Sequence, residues 1–131
     1  MKRRRHRFFA LFRIESAAML KIKRAYEPPA KDDGYRILVD RVWPRGVKKE
    51  ALRIDKWLKD VAPSTELRKW FGHDPEKWSG LLGRYRKELE GNEAFKELQA
   101  DVKTHKTLTL VYGAKDEAHN QAVALKQMLG K

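Results

Sequence analysis

Tyr35-Arg36-Ile37-Leu38-Val39-Asp40-Arg41-Val42-Trp43-Pro44-Arg45-Gly46 is the stretch that decides how this chain folds. Its centre, Ile37-Leu38-Val39, is continuously apolar rather than alternating, as expected of a strand covered on both faces. Pro44 lacks a ladder donor and ends it. A second run of the same kind, Thr107-Leu108-Thr109-Leu110-Val111-Tyr112, stops at Gly113 and leads into Ala114-Lys115-Asp116-Glu117-Ala118-His119-Asn120. Amphipathic helical stretches separate the two runs. That alternation predicts a single three-layer α/β domain, with a mainly parallel, roughly four-stranded sheet flanked by helices. In such sheets, ligands bind where loops leave the carboxyl ends of the strands. The polar residues after both runs then gather at one edge.

The remaining elements follow from local pattern. Residues 20–26 alternate apolar and basic side chains and read as a strand with one solvated face. Pro28, Pro29 and Asp33-Gly34 mark the loop after it. The central strand is expected over 36–41 and the last over 107–112. Residues 54–59 alternate and read as a short fourth strand. Lys48 to Leu52 reads as one helical turn. Ser64 is a good N-cap for a helix with Leu67, Trp70 and Phe71 on its face, and Gly72 is its stop. Asp74 and Pro75 begin a helix over 75–90, with Trp78, Leu81, Leu82, Tyr85 and Leu89 on one side. Asn92 caps the next helix, and Asp116 is expected to cap the closing one.

Composition bounds the function. The chain has 131 residues and no cysteine, so disulfides and thiolate chemistry are excluded and a reducing cytoplasm is expected. No apolar stretch approaches the roughly 20 residues of a membrane span, so no membrane partner is expected. Net charge is +12. Residues 1–18 carry Lys2, Arg3, Arg4, Arg5, Arg7 and Arg13 against Glu15, which leaves +7 on the remainder. Such a field attracts polyanions, so nucleic acid is a possible partner through the basic surface. Residues 1–18 read as a disordered basic extension to a domain over 19–131. The alternative is that Met19 is the natural start.

The stretches "KRAYEPPAKDDGYRILVDRVWPRG", "WLKDVAPSTELRKWFGHDPEKW", "RYRKEL" and "LVYGAKDEAHNQAVAL" closely resemble the YeaO-like proteins, a bacterial family of unknown function. The resemblance runs from about Lys21 to Leu129. It implies a compact, soluble, cytoplasmic α/β domain and implies no reaction. It directs attention to Asp40 through Gly46, to the Trp70-Phe71-Gly72-His73-Asp74-Pro75 turn, and to Asp116, His119 and Asn120. A sister branch resembles this one but carries cysteine near the last turn. No thiol mechanism transfers to this chain.

Each cluster has a functional and a structural reading. Arg41 and Arg45 offer paired donors suited to phosphate, with Trp43 between them to stack on a ring. Alternatively, Trp43 plugs the core and Arg45 is solvated. Gly113 followed by a helix start has the order of an anion cradle, although Asp116 and Glu117 already supply negative charge there. Asp116 and His119 read as an orienting carboxylate and a general base, with Asp40 as the second catalytic group. A lone His is more often hydrogen-bonded structure, and Asp116 more often an ordinary N-cap. A lone Asp-x-x-His falls short of the three or four ligands of a metal site, so no metal is assigned. His73 could join them from its loop. The leading expectation is a pocket for a phosphate-bearing ligand, with Asp40 and His119 as acid–base groups. Arg41, Trp43, Arg45, Asp116 and Asn120 would line it. The alternatives are a non-catalytic nucleic-acid-binding accessory protein and an interaction module. The sequence specifies no cofactor and no oligomeric state.

Overall fold

The computed structural model describes residues 19–130. The basic extension expected over residues 1–18 lies outside the described residues.

The elements are β1 (Met19–Arg24), β2 (Tyr35–Leu38), α1 (Lys49–Leu52), β3 (Lys56–Trp57), α2 (Thr65–Phe71), α3 (Trp78–Leu89), α4 (Glu93–Thr104), β4 (Thr107–Tyr112) and α5 (Gln121–Gly130). The strands form one sheet in the order β1-β4-β2-β3, and every neighbouring pair is parallel. Consecutive strand side chains point to opposite faces. Ile37, Leu108, Leu110 and Tyr112 therefore enter the main core, with Val39 just beyond β2. Leu38 and Val111 enter a second, smaller core. Ile37, Leu38 and Val39 are all fully buried, which accounts for the unbroken apolar run.

Two layers of unequal depth sandwich the sheet. Leu67 and Phe71 of α2, Leu81, Tyr85 and Leu89 of α3, Leu98 of α4, and Ala122 and Leu125 of α5 pack in the main core. Leu52 of α1 fills the second core with Trp43, Val47, Ile54 and Trp57 packed against it.

The caps at Ser64 and Asn92 follow the sequence. The Ser64 hydroxyl accepts from the Leu67 N–H at 3.0 Å, and the Asn92 side chain accepts from the Phe95 N–H at 2.8 Å. Gly72 ends α2 in the left-handed region.

Several boundaries differ from expectation; the strand expected over 20–26 spans Met19–Arg24. The strand expected over 54–59 narrows to Lys56 and Trp57, because Ile54 packs with the second core while Leu58 lies in the main one. Backbone bonds from Asp55 to Arg36 and from Leu58 to Leu38 flank those two residues. The helix expected from Pro75 opens with a 3₁₀ turn, Pro75–Lys77, capped by Asp74, and becomes α-helical at Trp78. The strand expected over 36–41 ends at Leu38, with one further bond from the Val39 N–H to the Val111 carbonyl at 3.0 Å.

The connections place the candidate site. After β2 the chain turns towards the face that carries α1. After β4 it turns towards the face that carries α5. These two strands are neighbours, and their exits diverge to opposite faces. That arrangement opens a crevice between the carboxyl ends of β2 and β4, the switch point at which α/β sheets bind ligands.

The core clusters seen among the described residues are built from residues 19–130, and deleting residues 1–18 is expected to change the unfolding midpoint by less than about 2 °C. Thermal unfolding of the truncated and full chains checks this. A drop of 5 °C or more would mean that the Phe8–Phe12 stretch contributes to the packed core.

Candidate functional site

Asp40 stands at the crevice. One carboxylate oxygen accepts the Gly113 N–H at 2.9 Å, and the other accepts from the Gln121 side-chain amide. The residue thus joins the exits of β2 and β4 to the start of α5. Gly113 permits this approach: a Cβ there would lie 2.9 Å from the carboxylate, which would have to shift. The Asp40 main-chain carbonyl accepts the Trp57 indole N–H at 2.7 Å. Burial pushes the Asp40 carboxyl up from its ordinary 3.8 to about 6, against the opposing pull of the Gly113 N–H, Gln121 and the Arg68 charge.

This has a signed consequence for stability. A carboxyl raised in the folded state favours folding while it is protonated, below its ordinary value, and loses that contribution as pH rises through about 6. In Asp40→Asn the group no longer titrates, and the amide oxygen still accepts from Gly113. The variant's stability relative to the unmodified chain is expected to grow between pH 4 and 7, by up to about 3 kcal/mol. Urea denaturation across that range measures it, and a difference flat in pH would contradict the raised carboxyl.

The crevice continues into a cleft with two lobes, of about 230 and about 200 Å³. Asp40, Arg41, Val42 and Ala62 belong to the first, and Phe71, Leu81, His119 and Asn120 to the second. Pro63, Arg68, His73, Ala114 and Gln121 line both, so the lobes share a waist.

Arg41 lines the cleft, but much of its hydrogen-bonding capacity is committed. It donates to the Ala62 carbonyl at 3.0 Å, and its second nitrogen lies 3.6 Å from an Asp60 oxygen. Its Nε is buried without a partner among the described residues.

His119 receives orientation from Asp116: its Nδ1 lies 3.0 Å from the carboxylate, and Trp78 meets the ring edge-on at 5.2 Å between centroids. Asp116 also accepts the Ala118 and His119 N–H groups, which holds its carboxyl below the ordinary value. Asp116 therefore closes a turn and does not cap the last helix. Asn120 does, accepting from the Val123 N–H at 3.0 Å, and α5 starts at Gln121. Asp116 and Asn120 are four residues apart and both suit a cap. Asn120 is buried, and its amide reaches back to the Asp116 carbonyl at 2.9 Å.

Trp43 and Arg45 are not among the residues lining the cleft. Trp43 packs edge-on to Trp57 in the second core and donates its indole N–H to the Val47 carbonyl at 2.7 Å. Arg45 is exposed, and its carbonyl accepts the Tyr26 hydroxyl. The side that Trp43 faces is set by the turn after β2, and its aromatic character alone does not reveal that side. Conversely, Arg68 and Gln121 were not foreseen. Arg68 lies in α2 between Leu67 and Lys69, where helical periodicity marks only a solvated position. Its guanidinium meets no hydrogen-bond or ion-pair partner among the described residues. His73 follows Gly72 with a φ of 58°, a left-handed conformation that is costly for a side-chain-bearing residue. Among the described residues, no three His, Asp or Glu groups are clustered to hold a metal ion, and no helix is long and apolar enough to cross a membrane.

The chain is similar to known proteins over nearly the whole described domain. It is 43% identical over 110 residues to the uncharacterized protein YeaO of Escherichia coli, covering 84% of this chain and 96% of that one. It is 40% identical over 110 residues to the uncharacterized protein Rv3073c of Mycobacterium tuberculosis, covering 84% and 92%. The uncharacterized protein Mb3100c of Mycobacterium bovis matches to the same extent. No solved structure matches the chain. The family described as "Inactive DUF488-N3 subclade" matches residues 19–131, and the chain belongs to that YeaO-like family.

Proposed function

We propose that this chain binds a phosphate-bearing small molecule in the cleft between the ends of β2 and β4, without turning it over. The observation that carries the reading is the Arg68 guanidinium. It lines both lobes and has no protein partner among the described residues. Other arginines near this edge are committed: Arg24 to the Gly113 and Ala114 carbonyls, and Arg41 to Ala62. An exposed guanidinium at the waist of the cleft, with Lys69 beside it, suits an oxyanion.

The family's description as inactive favours binding over catalysis. Asp40 and His119 are the acid–base groups to replace if a product is ever detected. The Asp116–His119 pair is the arrangement that would orient a base.

The competing reading is a nucleic-acid accessory protein. Its natural stacking platform, Trp70, is already covered by Arg84 at 4.0 Å and Lys77 at 5.1 Å from the ring centre. That weakens the case for base stacking there. We place the protein in a cytoplasm, consistent with its lack of cysteine.

Calorimetric titration of nucleotides and simple phosphate esters tests the proposal. Arg68→Ala is expected to weaken binding by roughly 10- to 150-fold, the value of a charge-assisted pair, with the unfolding midpoint nearly unchanged. Arg41→Ala is instead expected to act mainly on stability, because it frees the Ala62 carbonyl. Affinity that collapses steeply with salt for every polyanion tried would favour the nucleic-acid reading.

A further inference from the structure

The cleft brings together three chemistries that a simple anion would not use. Arg68 at the waist, with Lys69 beside it in one lobe, provides the cationic side. Phe71 and Leu81 form an apolar wall in one lobe, with Pro63 and Ala114 beside them. In the other lobe stands the Asp40 carboxylate.

A carboxylate in an anion cleft repels an anion unless it has a separate task. An ionised carboxylate offers about four acceptor positions. Gly113 and Gln121 occupy one on each oxygen. Capacity remains for donors from a ligand, and hydroxyl groups are the donors that commonly accompany a phosphate. Size adds a second constraint. Lobes of about 200 and 230 Å³ are each below the roughly 300 Å³ of small-ligand sites, so a ligand spans both. Charge adds a third. Arg41 is held by a main-chain carbonyl, which leaves few free cations, and each additional phosphate would face Asp40.

We infer that the cleft selects a hydroxyl-bearing monophosphate carrying a flat or apolar group, of which a nucleoside monophosphate is the simplest class: Arg68 pairs with the phosphate, Asp40 accepts from hydroxyls, and the ring lies on Phe71 and Leu81. The inference rests on the anion-binding role proposed for the cleft and goes beyond it by naming the two features read besides the charge.

Four probes separate the contributions: inorganic phosphate, phenyl phosphate (ring without hydroxyls), ribose 5-phosphate (hydroxyls without ring) and a nucleoside 5′-monophosphate. Titration into the full chain at pH 7.5 is expected to rank the nucleoside monophosphate first. Phenyl phosphate and ribose 5-phosphate should each bind about tenfold more weakly or worse. The corresponding nucleoside triphosphate should bind no tighter than the monophosphate. Asp40→Asn should weaken the two hydroxyl-bearing ligands by roughly tenfold relative to phenyl phosphate, which should bind at least as tightly as before because a repelling charge is gone; retained phenyl phosphate binding also shows that the variant is folded.

Ribose 5-phosphate equal to the nucleoside monophosphate overturns the role of the apolar wall. Phenyl phosphate equal to it overturns the role of Asp40. A triphosphate bound about tenfold tighter overturns the monophosphate assignment. In all three results, Arg68-dependent anion binding would survive. Absence of binding by all the probes, or binding indifferent to Arg68→Ala, would instead remove the underlying proposal. The probe ranking in the unmodified chain decides the matter even if Asp40→Asn fails to fold.

Discussion

Arg36→Ala is expected to lower the unfolding free energy by about 3–5 kcal/mol, the usual result of breaking a buried ion pair from one side. Arg36 is 4% exposed and Asp33 is 1% exposed. The guanidinium donates to Asp33 at 2.7 Å, to the Leu52 carbonyl at 2.7 Å and to the Arg53 carbonyl at 3.2 Å. It therefore ties β2 to the turn before it and to the end of α1. Removing it strands those acceptors in the interior and leaves Asp33 with Lys23, at 2.8 Å, as its remaining cation.

Burial pushes the Asp33 carboxyl up. Lys23, the Ala30 N–H and Arg36 together outweigh burial and hold it below its ordinary 3.8. Its stabilising contribution is thus present above that value and is lost as pH falls below it. The deficit of Arg36→Ala should accordingly shrink on acidification, opposite in sense to the growing advantage of Asp40→Asn as pH rises. Urea denaturation at pH 7 and pH 3.5 reads both parts. A loss below about 1 kcal/mol at pH 7 would show that the pair contributes no more than an ordinary hydrogen bond.

This ion pair was not legible in the sequence, while the sheet around it was. Ile37-Leu38-Val39 and Leu108 to Tyr112 announce buried strands by apolar content alone, and the caps at Ser64 and Asn92 are local chemistry readable within four residues. Arg36 sits in the same strand as Ile37, and periodicity gives it a face without saying what faces it. Its partner Asp33 reads as part of an Asp-Gly turn. Only the inserted position of β4 between β1 and β2 brings Lys23, Asp33, Arg36 and Thr109 to one place.

The candidate site divides the same way. That Asp40 and the loop holding His119 share a strand edge followed from parallel strands. Which side chains project into the cleft depended on turns: the bend after Asp40 carries Trp43 to the opposite core, and the left-handed step at Gly72 and His73 brings His73 to the waist. Arg68 became visible only through its lack of a partner, a property of the three-dimensional arrangement.

The same insertion of β4 makes Gly34 a position that accepts no side chain. Gly34 has φ 68° and ψ −136°, a conformation confined in practice to glycine. A Cβ built there would lie 2.7 Å from both the carbonyl carbon and the Cβ of Thr107. The contact falls where the β1–β2 loop passes the first residue of β4. The loop has no freedom to retreat, because the Thr109 hydroxyl donates to the Asp33 carbonyl at 2.7 Å and the Asp33 carboxylate is fixed by Lys23 and Arg36. Gly34→Ala therefore combines backbone strain with steric overlap against a main chain, each worth about 1–3 kcal/mol. The expected loss is about 2–6 kcal/mol, which is a large share of the roughly 5–15 kcal/mol that holds a typical domain together. Gly83→Ala is the matched control. Gly83 lies within α3, and a Cβ there meets nothing within 4 Å, so alanine should raise stability by about 0.5–1 kcal/mol through helix propensity. Chemical denaturation of the two variants in parallel should move their midpoints in opposite directions. If Gly34→Ala unfolded at the midpoint of the unmodified chain, the loop would not be clamped against β4.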